Sequence, residues 1–106
     1  MEDQAGCPVK ATVGVIGGKW KTGILYRLAR KSYRLSELKR EMSWISETVL
    51  IRQLRELQAE GVVERIDHRQ RPPKVEYALT DYGQSLAPLL DAIAAWGQSH
   101  LSHKAG

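Results

Sequence analysis

Long cationic side chains gather in two stretches of this sequence, and both carry residue types that contact anions or base edges. In the first, Ser46, Glu47, Thr48, Ile51, Arg52 and Arg55 lie off an apolar repeat made by Val49, Leu50, Leu54 and Leu57. Short polar groups at a helix start sit beside free backbone N–H groups that favour phosphate, and an arginine further along reaches the acceptors of guanine. Glu47 suits either a cytosine amino group or the helix dipole, while Gln53 and Arg55 suit backbone contacts. A solvated helix face carries the same mixture, so this stretch alone leaves both readings open. The second stretch holds Arg65, Arg69, Arg71 and Lys74, and Asp67 is its only acid. Pro72 and Pro73 stiffen it and reduce the entropy lost on docking. It reads as a phosphate clamp or as a merely soluble turn. Lys39 and Arg40 are further candidates for the DNA backbone. Arg34, Lys19 and Lys21 are weaker ones, because most such side chains are simply solvated.

Other chemistry has less support. Cys7 is the single cysteine, which excludes an intrachain disulfide and a zinc site built from several thiolates. A lone thiol is either packing or a reactive switch. His100 and His103 share a helical face without an evident third ligand, so neither a metal nor another cofactor is expected. No Ser/His/Asp spacing, glycine-rich phosphate loop or paired carboxylates stand out, and no catalytic residue is assigned.

The elements that position these residues follow from periodicity. Pro8 suits the first position of a helix reaching Ile16, which puts Cys7 near its N-cap, and Gly17-Gly18 ends it. A second helix is expected from Trp20 to about Arg30, with Trp20, Ile24, Leu25 and Leu28 on one face. A third spans Leu35 to Met42. Ser46 then caps a fourth, Glu47 to Glu60, which Gly61 stops. Val62 to His68 and Lys74 to Leu79 alternate as strands of a hairpin. Thr80 and Asp81 open a last helix to about His103, in which Pro88 is expected to introduce a kink.

The fold class is therefore mainly α with a small β-hairpin. Two helices joined by a tight turn, followed at once by a basic-tipped hairpin, make a winged helix-turn-helix. The 106 residues fit one domain, and the net charge of +4 permits an anionic partner. The start MEDQAGCPVK lacks a signal-peptide pattern and no apolar run has membrane-spanning length, so no membrane association and a cytoplasmic location are expected.

Several landmarks resemble one family. Cys7-Pro8-Val9, Val15-Ile16-Gly17-Gly18-Lys19-Trp20-Lys21, Leu35-Ser36-Glu37-Leu38-Lys39-Arg40, Gln53-Leu54-Arg55-Glu56-Leu57, Pro72-Pro73-Lys74-Val75-Glu76-Tyr77 and Leu79-Thr80-Asp81-Tyr82-Gly83 are similar to the HxlR-type regulators of the MarR-like group. The resemblance implies a homodimer on double-stranded DNA, bound to an inverted-repeat operator and usually repressing, sometimes activating, a nearby gene. It also implies a dimer interface built from the terminal helices, about 8–16 and 81–103. Val13, Ile16, Leu86, Leu89, Leu90, Ile93, Trp96 and Leu101 are its candidate residues, which agrees with an apolar surplus in the last helix. In some members the cysteine at this position senses quinones, aldehydes or oxidants, so the resemblance implies a small electrophile or oxidant as a candidate effector. The helix dipole and Lys10 one turn away favour a reactive sulfur here, although simple packing explains Cys7 equally well. Ser43-Trp44 departs from the Pro-Gly turn common in the family, so Trp44 is expected to shift the reading helix or pack beside it. The rival from another class is a winged-helix module that binds protein instead of DNA.

Overall fold

Leu50, Leu54 and Leu57 occupy one face of a single helix and are wholly buried, as are Ile24, Leu25 and Leu38 around them. The computed structural model describes residues 6–106, so residues 1–5 of the expected domain lie outside the described residues. The chain runs α1 (Pro8–Ile16), α2 (Lys21–Leu28), α3 (Leu35–Glu41), α4 (Glu47–Ala59), β1 (Val63–Asp67), β2 (Val75–Leu79), α5 (Asp81–Gln84) and α6 (Ala87–Ala105). The result is a mainly helical winged helix-turn-helix, as the periodicity implied.

Each boundary has a local cause. Pro8 stands in the first turn of α1 with Cys7 at the N-cap. The turn between α3 and α4 is pinned by Met42 and Ile45, both buried, and Ile45 N–H donates to the Met42 carbonyl at 3.0 Å. The Ser46 hydroxyl accepts from Val49 N–H at 3.2 Å and opens α4. Gly61, with φ of 80°, adopts the left-handed conformation that ends it. In the wing, β1 and β2 pair antiparallel from Val63↔Leu79 to Asp67↔Val75. Burial alternates along β2, so Tyr77 and Leu79 face the core.

The differences from expectation are local. Trp20 is the N-cap of α2 instead of its first residue, and that helix closes at Leu28, before Arg30. The last helix is two. After α5 the chain turns through Ser85 and Leu86, and Pro88 lies in the first turn of α6. A proline there lacks only an N–H that has no helical acceptor, so Pro88 begins a helix where a kink had been expected.

Two tethers hold α5 against the end of α4. Thr80 Oγ1 donates to the Gly61 carbonyl at 2.6 Å and accepts from Gly83 N–H at 2.9 Å. Gly83 lies so close to β1 that a Cβ on it would sit 2.1 Å from the Val62 carbonyl oxygen. Gly83→Ala must therefore displace backbone, and urea denaturation should show a loss of about 1–3 kcal/mol or more.

Carboxylates on the surface link the helices and the wing. Lys21 on α2 donates to Glu56 on α4, and that bond, first among the causes, lowers the Glu56 pKa below its ordinary 4.5. Glu76 on β2 is lowered likewise, chiefly by the hydrogen bond from His68. A carboxyl whose folded pKa is depressed contributes stability above its unfolded value and loses it as pH falls through the folded value. Stability should therefore hold near neutral pH and decline as the pH falls below the ordinary 4.5 of Glu56 and Glu76. Denaturation midpoints across that range check this, and the decline should be shallower in the double variant Glu56→Gln, Glu76→Gln.

Candidate nucleic-acid interface

The rotation of α4 about its axis follows from its leucines. With Leu50, Leu54 and Leu57 inward, Thr48, Arg52 and Arg55 fall on the opposite side, and all three are exposed. Glu47 is exposed in the first turn, and Ile51 is half-buried at the border of the outer face. Ser46 is exposed but its oxygen already accepts from Val49 N–H, which leaves it an O–H to donate outward. Among the described residues no carboxylate oxygen lies within 4.0 Å of Arg52 or Arg55. The outer face is polar, cationic and open.

The supporting helix divides its cations. Arg34 and Arg40 are exposed at opposite ends of α3. Lys39 instead donates through Nζ to the Ser43 carbonyl at 3.2 Å, so its charge is drawn onto the turn before α4. Trp44 in that turn is 63% exposed. Most of its side chain is thus open to solvent, so of the two expectations for it, packing beside the reading helix is not met.

The wing tip is built to stand outward. His68 N–H donates to the Lys74 carbonyl at 2.9 Å and closes the loop, while Asp67 accepts from Arg69 N–H at 2.8 Å. Arg69 takes a left-handed φ of 52°, and Arg69, Gln70, Arg71, Pro72 and Pro73 are all exposed. Lys74 is half-buried at the loop's base. Asp67 thus engages backbone N–H, and among the described residues no carboxylate oxygen lies within 4.0 Å of the Arg69 or Arg71 guanidinium, so both face an anion unopposed there.

The wing is fastened to the helices by an isolated bridge that sequence reading did not foresee. Tyr33 N–H donates to the Tyr77 carbonyl at 2.9 Å, and Tyr77 N–H returns to Tyr33 at 2.7 Å. Glu76 receives hydrogen bonds from His68 at 2.8 Å and from Ser32 Oγ at 3.3 Å. The Tyr33 hydroxyl donates to Glu41 at 3.0 Å, and Arg27 Nε reaches the same carboxylate at 3.1 Å. Burial first, and then the Glu41 carboxylate, push the Tyr33 phenol above its ordinary pKa, so it stays a proton donor. The buried tyrosine in an otherwise polar segment, Lys31-Ser32-Tyr33-Arg34, was the available signal.

Apolar surface is concentrated on the terminal helices. Val9 and Val13 on α1 and Leu89, Ile93, Trp96 and Leu101 on α6 are exposed. Leu89, Ile93 and Trp96 form a stripe spaced i, i+4, i+7, which His100 extends by stacking on Trp96 at 5.0 Å. Ile16 and Leu90, placed at the dimer interface by sequence reading, are instead buried in their own chain's core. Leu86 is half-buried and packs on that core as well. Val9 was missed, although its i, i+4 spacing from Val13 marks it. Cys7 is half-buried with a free thiol that makes no capping hydrogen bond, and Lys10 one turn on is exposed.

The profile of the HxlR-like helix-turn-helix family matches residues 15–105. YtcD of Bacillus subtilis (strain 168), an uncharacterized HTH-type transcriptional regulator, is 52% identical over 98 residues, covering 92% of this chain and 78% of its own. Its crystal structure superposes with a TM-score of 0.83 over 91% of this chain and 98% of that one. The redox regulator HypR in its reduced form is 43% identical, with a TM-score of 0.84 over 88% of this chain and 92% of its own. A MarR-family regulator from Porphyromonas gingivalis W83 is 36% identical, with a TM-score of 0.83 over 92% and 95% of the two chains. The chain belongs to the HxlR-like helix-turn-helix family of MarR-like transcriptional regulators.

Proposed function

We propose that this chain is a sequence-specific DNA-binding regulator whose residues 1–106 act as one domain and pair into a homodimer on an inverted repeat. The observation that carries the reading is the outer face of α4, with Thr48, Arg52 and Arg55 held outward by buried leucines beside an exposed Arg69–Arg71 wing tip. Thr48 and Arg52 read base edges at the centre of that face, with the half-buried Ile51 at its border. Ser46, Glu47 and Arg55 flank them, and Arg34, Lys39, Arg40, Arg69, Arg71 and Lys74 serve the phosphates. The stripe of Leu89, Ile93 and Trp96, with Val9, Val13 and Leu101, pairs two copies and sets the spacing of the two reading helices. Repression follows from occupying the operator.

Cys7 supplies the regulation in this proposal. Two thiols, one from each copy, lose two protons and two electrons to an oxidant and join as an intersubunit disulfide, or each is alkylated by an electrophile. Either change sits beside the proposed dimer surface on α1. The likeness to a redox regulator supports the idea.

Fluorescence anisotropy with labelled duplex across a salt series tests the DNA reading. Affinity should fall steeply, about 10³-fold or more between roughly 50 and 200 mM salt. Binding that ignores salt, or none by the folded protein, would assign the surface to a protein partner instead. Arg52→Ala should lose about 1–3 kcal/mol of discrimination at particular base pairs, whereas Arg71→Ala should weaken all sequences alike and lower the salt slope by about 1. For the switch, Cys7→Ser should bind operator normally yet no longer be released by diamide, as read by the same anisotropy.

A further inference from the structure

Among the described residues, seven of the eight large exposed apolar side chains belong to the terminal region: Val9, Val13, Tyr82, Leu89, Ile93, Trp96 and Leu101. The eighth is Trp44, alone on the helix-turn-helix. Leaving a side chain of this size in water forgoes about 2–3 kcal/mol of burial, so its exposure calls for a use. The geometry of the turn shows that the exposure is imposed. Met42 and Ile45 on either side take the inward positions and are each 2% exposed, which leaves Ser43 and Trp44 to face out. Lys39 stiffens this arrangement by holding the Ser43 carbonyl at 3.2 Å.

The surroundings of Trp44 identify what would cover it. It precedes by two residues the N-cap Ser46, whose hydroxyl occupies Val49 N–H and leaves the earlier first-turn amides of α4 directed at solvent. A helix N-terminus of this kind favours a phosphate. An exposed ring two residues before that N-cap adjoins this end of the helix in the chain; its face suits the apolar C–H side of a sugar, and its indole N–H is a donor for a phosphate oxygen. The exposed residues beside it in sequence, Ser43, Ser46 and Glu47, are polar, and among the described residues no other large apolar side chain of the helix-turn-helix is exposed, so the continuous apolar surface that a second protein chain would bury is lacking.

We propose that Trp44 is a DNA contact, its indole lying on the deoxyribose backbone at the edge of the groove that receives α4. The proposal rests on the DNA-binding reading above and adds to it an uncharged contact. Apolar contact with sugar releases no counterion, so it contributes affinity without adding to the salt slope.

The chain has three tryptophans, so the full-length protein labelled with 5-fluorotryptophan gives three fluorine resonances, and Trp44→Phe identifies the one of interest. Titration with a 30-base-pair duplex of random sequence at low salt should move the Trp44 signal in step with anisotropy and leave the Trp20 and Trp96 signals in place. Trp44→Ala should weaken duplex binding about tenfold, the size of one lost aromatic contact, with an unchanged slope of log affinity against log salt. Trp44→Phe should retain most of the affinity. Matching circular dichroism and melting midpoints show that the variants are folded. Duplex binding with a stationary Trp44 signal, or full affinity in Trp44→Ala, would overturn this contact while leaving the DNA reading intact. A Trp44 signal that moves with protein concentration in the absence of DNA would overturn it in favour of self-association. No duplex binding by the wild-type chain would remove the DNA reading itself and this contact with it.

Discussion

Burial of Leu50, Leu54 and Leu57 in the common core, where α4 meets α2 and β1, leaves α4 a single orientation, and the outward groups inherit their positions from it. Thr48, Arg52 and Arg55 need no contact of their own to point away from the core; two residues of offset along a 3.6-residue helix turn them through roughly half a circle. Truncating one of these leucines would cost about 2–5 kcal/mol and loosen that orientation together with the packing. Ile45 and Met42 fix the other end, since their burial sets how the chain enters α4. Specific reading of a base edge requires this kind of rigid support, because an arginine on a rocking helix samples several base pairs.

The wing poses a different problem. A two-stranded hairpin is marginal on its own in water. Here it borrows stability from both ends of the helical core. Tyr33 adds reciprocal backbone hydrogen bonds to Tyr77, and Ser32 and His68 converge on Glu76. Thr80 and Gly83 clamp the exit of β2 to the end of α4. The tip is thereby free to be polar and short of internal partners, because the base of the hairpin carries the order.

Most of this was legible in the sequence where a regular period met a clear stop. Ser46 followed by the leucine repeat and Gly61 defined α4 to within a residue, and the alternation of Val75, Tyr77 and Leu79 defined β2. What escaped depended on tertiary neighbours. Periodicity places Ile16 on the same face as Val9 and Val13, yet only its end of α1 meets the core. Leu90 belongs to an apolar helix, and nothing in its spacing from Leu89 shows which one faces inward. Pro88 reads alike as a kink or a start until the turn at Ser85 is known. The hydrogen bond that draws Lys39 to the Ser43 carbonyl was equally hidden, because it depends on how α3 ends. Trp44 stood out as a departure from the turn usual in the family, and the burial of Met42 and Ile45 on either side decided that it faces outward.

The two proposed surfaces, apolar on the terminal helices and cationic on α4 and the wing, share one set of buried side chains. Ile16 anchors α1 and Leu90 anchors α6 in the same cluster that holds Leu50, Leu54 and Leu57. Lys21 on α2 meets Glu56 on α4 outside that cluster. Close-packed interiors deform little, so a shift of α1 or α6 forced at a dimer contact is carried as a rigid displacement of the core rather than absorbed locally. The reading helix would then move as a body with its outward face unchanged. Under the proposed arrangement a modification at Cys7 would act on the distance between two copies of α4, and hence on how well both fit one operator, while the contacts that each copy makes to its own half-site would be left as they were.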